Sequence, residues 1–149
     1  MFKATKEIYE AMIEAGLKCM VDEVDDCSMV KVQFPLAYSA PINVYFMSID
    51  DDNDVAVRVD LMRVEAGDGE TILAVLNDLN LEYRYVKFTL NGENDVFVAY
   101  DMPINGDNVG ECAKEILARF QRIIHQVHPK LLHAVFTMKA QAEASEVLS

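Results

Sequence analysis

His125 and His128 lie three residues apart, a spacing that sets two imidazoles on one face of a helix, where they could share a metal ion. A zinc centre needs three or four ligands, and no His-Glu-x-x-His or Glu-x-x-His pattern surrounds the pair. His133 falls beyond Pro129, and Cys112 stands about three helical turns away. The two histidines therefore read as a polar helix flank, and no metal site is expected. Asp50-Asp51-Asp52-Asn53-Asp54 opens with the alternating carboxylates of a calcium loop. Its sixth position is Val55, where such a loop needs glycine, and its twelfth is Leu61, where it needs a bidentate Glu. A solvated turn between strands is the expectation. Serine, histidine and aspartate all occur, but no Gly-x-Ser-x-Gly elbow and no recognisable Cys–His setting accompanies them. The six glycines form neither of the common phosphate-cradling loops. No catalytic, cofactor-binding or metal-binding residue is assigned, no cofactor is expected, and the common enzyme classes are disfavoured.

The bulk properties narrow the field further. The chain has 149 residues and 52% hydrophobic composition, enough for one domain with a full core. No apolar run approaches the roughly 20 residues that span a bilayer, and the charged start lacks a signal-peptide core, so a cytoplasmic protein is expected. Cys19, Cys27 and Cys112 are too few and too scattered for a disulfide scaffold. The net charge of -12 leaves too few cations to grip phosphates, which argues against nucleic acid and anionic membrane as partners.

The periodicity of apolar residues predicts the elements. Thr5 to Gly16 reads as a helix, with Thr5 as its cap. Met29–Phe34, Ile42–Ile49 and Val55–Val64 read as an antiparallel meander. A second helix is expected from about Asp68 to Leu79, with Ile72, Leu73, Val75, Leu76 and Leu79 buried and Asn77 and Asn80 closing it. Tyr83–Leu90 and Asp95–Met102 read as a hairpin turned by Asn91-Gly92-Glu93-Asn94, where Asn-Gly accepts positive φ. A long helix begins near Val109, capped by Asp107 or Asn108, and Pro129 is expected to break or kink it. A stretch from Leu131 to about Ala142 continues beyond, and the polar tail, about 141–149, is expected to be flexible. The fold class that results is α+β: one five-stranded antiparallel sheet with helices on one face, in the order α-β-β-β-α-β-β-α.

The stretch Leu76-Asn77-Asp78-Leu79-Asn80-Leu81-Glu82-Tyr83-Arg84-Tyr85-Val86-Lys87-Phe88-Thr89-Leu90 resembles the helix-to-strand junction of bacterial YbjN-like domains. There an "lN-x-lN" stretch leads into an "r-x-x-kf" strand, and Val96-Phe97-Val98 after the turn also fits. The resemblance covers nearly the whole chain as a single domain. It implies a fold like that of the type III secretion chaperones, with frequent dimerisation and binding of protein partners. The family's biochemical activity is poorly defined, and some members carry a provisional label as sensory transduction regulators.

Two further patterns bear on partners. From Val109 to Lys139 the basic residues Lys114, Arg119, Arg122, Lys130 and Lys139 face only Glu111 and Glu115, although acids outnumber bases in the whole chain by 25 to 13. Either this helix lies over the domain's own acids or it forms a partner groove. Its apolar stripe is also wide, and Phe120, Ile124, Val127, Leu131 and Val135 are the residues expected at a homodimer or partner interface. A non-enzymatic protein-binding module, chaperone-like or regulatory, is the preferred reading. An exposed strand edge could also accept a partner segment in such a module. The alternative is an enzyme or small-ligand domain with a pocket between sheet and helices, lined by Tyr38, Tyr45, Tyr83, Tyr85, Arg58, Arg63 and Arg84.

Overall fold

Strands that alternate apolar and polar residues bury one face and leave the other to solvent, and amphipathic helices supply the cover. The computed structural model describes residues 1–37, 39–49, 54–104 and 108–148. The elements run α1 (Lys3–Glu14), β1 (Cys19–Val24), β2 (Cys27–Leu36), β3 (Ser39–Ser48), β4 (Asp54–Arg63), α2 (Gly69–Glu82), β5 (Lys87–Leu90), β6 (Asp95–Pro103) and α3 (Val109–Leu148). The strands form one antiparallel sheet in the order β1-β2-β3-β4-β6-β5. Val30, Val32 and Phe34 of β2, Val44 and Phe46 of β3, Val55, Val57 and Val59 of β4, and Val96 and Val98 of β6 line its buried face. Ile8 and Met12 of α1, Ile72, Leu76 and Leu79 of α2, and Phe120, Ile124, Val127 and Leu131 of α3 close over them in the same core.

The sheet has six strands, one more than the periodicity predicts. The extra strand is β1, Cys-Met-Val-Asp-Glu-Val, whose only partly covered side chains are Cys19 and Val21. Half an apolar face on an edge strand gives a weak alternating signal. Pairing with β2 through the tight Asp25-Asp26 turn supplies what the local sequence does not, with Asp25 at φ 52.

Other boundaries shift for identifiable reasons. α1 starts at Lys3, with Phe2 at the cap position, so Thr5 lies inside the helix. Its hydroxyl is buried 2.6 Å from the Ser28 hydroxyl and ties α1 to β2. Gly16 does end α1, in the left-handed conformation at φ 76. Leu73 is exposed, so the buried stripe of α2 is narrower than its apolar composition. α3 runs unbroken through Pro129. Buried Val127 and Leu131 on either side hold it against the core, which outweighs the one lost backbone bond. α3 stays helical through 141–148. In the β5–β6 turn the left-handed residue is Asn94, φ 65, rather than Gly92. Asn91 Oδ1 shapes that turn by accepting bonds from the Glu93 and Asp95 amides, both at 2.9 Å. Asp50 to Asn53 and Asp107 lie outside the described residues.

Candidate functional site

Asn80, expected to close a helix, does something else. It sits within α2, and its carboxamide reaches across to the edge strand β5. The Phe88 amide donates to Asn80 Oδ1 at 2.7 Å, and Asn80 Nδ2 donates to the Phe88 carbonyl at 3.1 Å. With Phe88 pinned and Val86 buried, the chain between α2 and β5 must turn a corner. Tyr83 to Val86 therefore precede the strand rather than belonging to it, and β5 is only Lys87–Leu90. Tyr85 takes the left-handed conformation, φ 72, and the residue is 66% exposed.

This corner faces α3. Tyr83 lies edge-on to Phe88, with centroids 6.0 Å apart, and its hydroxyl donates to Gln126 Oε1 at 3.0 Å. Lys130 Nζ bonds Glu82 at 3.0 and 3.2 Å and stands 5.4 Å from the Tyr83 ring centre. The Glu82 carboxylate, and then the Tyr83 hydroxyl, push the Lys130 ammonium above its ordinary range. About three turns back along α3, the Arg119 guanidinium lies 5.5 Å from the centre of the Tyr85 ring and bonds Glu115 at 2.6 Å. Between corner and helix runs an open groove of about 400 Å³, lined by Tyr83, Arg84 and Tyr85 on one side, by Arg119 and Arg122 of α3 on the other, and by the Glu82 carboxylate that Lys130 holds.

The charges on α3 resolve the question the sequence left open. Lys114 pairs with Glu111 and Arg119 with Glu115 along the helix, while Lys130 reaches Glu82 and Lys139 reaches Glu65 on the body of the domain. Internal balance thus accounts for four of the five cations. Arg122 makes no ion pair among the described residues, and neither does Arg84 opposite it. Planar guanidiniums beside an exposed tyrosine are suited to carboxylates or phosphates, held by forked hydrogen bonds and ring stacking.

The remaining sequence-derived candidates disperse. Phe120, Ile124, Val127 and Leu131 are buried in the chain's own core and Val135 is half-buried against it, so this face of α3 is spent on the domain itself. The exposed aromatic residue of α3 is Phe136. Of the side chains expected to line one pocket, Tyr45 and Arg58 are paired on the open face of the sheet. Arg58 bonds Asp101 and Arg63 bonds Asp95, each at 2.8 Å. Tyr38 lies outside the described residues. Among the described residues of that set, Tyr83, Arg84 and Tyr85 come together, and they do so with Arg119 and Arg122, whose place in the groove the sequence signalled only as a mildly basic helix.

The histidines also separate in role. His125 is exposed, its Nδ1 2.8 Å from the Gln121 carbonyl and its ring 6.2 Å from that of Phe34. His128 is buried, and loss of hydration lowers its pKa. Among the described residues no three of His, Cys, Asp and Glu gather as metal ligands, and no helix is long and apolar enough to cross a membrane.

The family model for YbjN, described as "Putative bacterial sensory transduction regulator", matches residues 5–132. No match to the chain is found among curated proteins. The family description is that of a regulator rather than of an enzyme and supports a regulatory or binding role in general terms. The matched span takes in nearly all of α1, all six strands, α2 and α3 as far as Leu132. On that match the chain belongs to the YbjN family.

Proposed function

We propose that this chain is a non-enzymatic bacterial regulator that works by binding a protein partner, and that the groove between Tyr83–Tyr85 and α3 receives an acidic segment of that partner. One observation carries the reading. Arg84 and Arg122 stand exposed and make no ion pair among the described residues, because the one carboxylate that lines their groove, Glu82, is taken by Lys130, on a chain of net charge -12 whose other α3 cations are paired. An unmet pair of guanidiniums on an otherwise acidic surface attracts carboxylates and repels the wrong partners.

The shape favours a polypeptide over a metabolite. Small-molecule sites bury most of their ligand, whereas Tyr85 projects 66% exposed beside an open trough, as an anchor for a partner's surface does. The chaperone-like reading is the finer form of the same idea: an extended segment lying along the trough in the bacterial cytoplasm.

Titration of a fluorescent acidic peptide, with a basic peptide of equal length as control, tests it by anisotropy. Saturable binding of the acidic peptide that weakens at least tenfold in Arg84→Glu/Arg122→Glu is the expected outcome, since lost charge-assisted bonds cost about 1.5–3 kcal/mol each. Equal binding of both peptides, or indifference to the double charge reversal, would remove the proposal.

A further inference from the structure

A sheet with two edges offers two places where another strand could add, and this sheet treats its edges differently. At β5 the outward-facing peptide group of Phe88 is taken by the Asn80 carboxamide on both its amide and its carbonyl. β5 is also only four residues long. β1, at the opposite end, has six residues, and no side chain among the described residues bonds its outward peptide groups in this way.

The ladder fixes which groups of β1 point outward. The Gln33 amide bonds the Lys18 carbonyl at 3.3 Å, so Lys18 and, by alternation, Met20 and Asp22 turn their peptide groups toward β2. The peptide groups of Cys19, Val21 and Glu23 therefore point away from the sheet. On the open face the side chains run Lys18, Met20, Asp22, and Met20 is 59% exposed at the edge.

That order is self-complementary. An antiparallel copy placed on a two-fold axis at Met20 sets Met20 against Met20, Lys18 against Asp22 and Asp22 against Lys18. Cys19 and Val21 then exchange backbone hydrogen bonds across the axis. Moving the axis one residue to Val21 sets Met20 against Asp22 and strands Lys18 opposite Val24. Moving it to Asp22 brings two carboxylates together. Opposite charges facing across strands stabilise and like charges destabilise, so the pattern selects one register.

We propose that the occupant of the β1 edge is a second copy of this chain, joined about a two-fold axis at Met20 to make one continuous twelve-stranded sheet. The contact is isologous, as closed dimers require. It leaves the groove at Arg84 and Arg122 free, so it stands or falls independently of partner binding there.

Sedimentation velocity over a concentration series tests it on the full chain. The expected result is a reversible dimer whose Kd rises tenfold or more in Asp22→Lys and in Lys18→Asp, each of which turns both facing pairs into like charges. The doubly substituted Lys18→Asp/Asp22→Lys restores the wild-type Kd. Met20→Cys in a Cys112→Ser background is expected to crosslink between chains under mild oxidation, because directly opposed residues of such a pair fall within disulfide reach. A monomer at every concentration, a dimer insensitive to the single charge changes, or a double variant that fails to recover would each overturn the proposal. Lys18 and Asp22 are both exposed, so these variants leave the core intact.

Discussion

The Asn80 side chain stands in for a neighbouring strand at Phe88, taking its amide at 2.7 Å and giving a bond to its carbonyl at 3.1 Å. A primary amide is the one side chain that offers an acceptor and a donor side by side, as a peptide group does. Asn80→Ala leaves both Phe88 groups without their partners at a partly buried edge. A loss of about 1–3 kcal/mol is expected, read as a lower urea midpoint at unchanged slope. Asn80→Asp does not rescue it, since a carboxylate accepts the amide bond but faces the carbonyl oxygen with another acceptor. Full stability in either variant would show that the bond pair contributes nothing.

The Thr5 and Ser28 hydroxyls, 2.6 Å apart in a buried seam, make a second such pair. Ser28→Ala removes the partner of the buried Thr5 hydroxyl, and of the Phe2 amide that donates to Ser28 Oγ at 3.5 Å, and is expected to cost about 1–3 kcal/mol. Thr5→Val/Ser28→Ala removes both hydroxyls, leaving only the Phe2 amide without its bond, and is expected to cost less than the sum of the single changes. A double-mutant cycle by chemical denaturation gives the coupling directly, and strict additivity would refute it.

Gly110 lies where the first turn of α3 crosses α1. A Cβ built there would stand 2.8 Å from the Ala11 Cβ and 3.0 Å from the Glu7 carbonyl oxygen. Helix propensity alone favours Gly110→Ala by about 1 kcal/mol. Overpacking against a neighbouring helix costs about 1–3 kcal/mol, so the contact is expected to win and the melting temperature to fall. Gly110→Ala/Ala11→Gly relieves the Cβ clash and is expected to recover part of the loss. A higher melting temperature in Gly110→Ala would mean that the helices part without cost.

His128 sets a pH dependence. Burial lowers its pKa in the folded chain below the ordinary value of 6.5, so the unfolded chain binds its proton first as the solution is acidified. The stability associated with neutral His128 is therefore present above pH 6.5 and is lost as the pH falls below that value toward the folded pKa. His128→Gln is expected to flatten this part of the stability–pH curve measured by urea unfolding. An unchanged slope between wild type and variant would assign it to other groups.

Much of the architecture is a local property of this chain. Alternation in Val30-Lys31-Val32-Gln33-Phe34, the three-and-four spacing of Ile8 and Met12, and the Asn91–Asn94 turn each declare their element within a few residues. Burial of one face is enough to specify them. The same local information overstates the interface. The wide stripe on α3 looks like surplus apolar surface until a six-stranded sheet, with α1 and α2 beside it, consumes Phe120 through Leu131. β1 escapes notice for the complementary reason, because as an edge strand it buries little of its own.

The sequence by itself determined the α+β class, the acidic surface and the family junction from Leu76 to Leu90. Only the tertiary structure decided that Asn80 seals a strand rather than a helix, that Arg119 meets Tyr85 from 34 positions along the chain, and that Arg84 and Arg122 are left facing one trough. The physical reason is one of range. Amphipathic period is written in neighbouring residues, whereas a hydrogen bond or an unmet charge depends on which distant groups the closing core brings within a few ångströms.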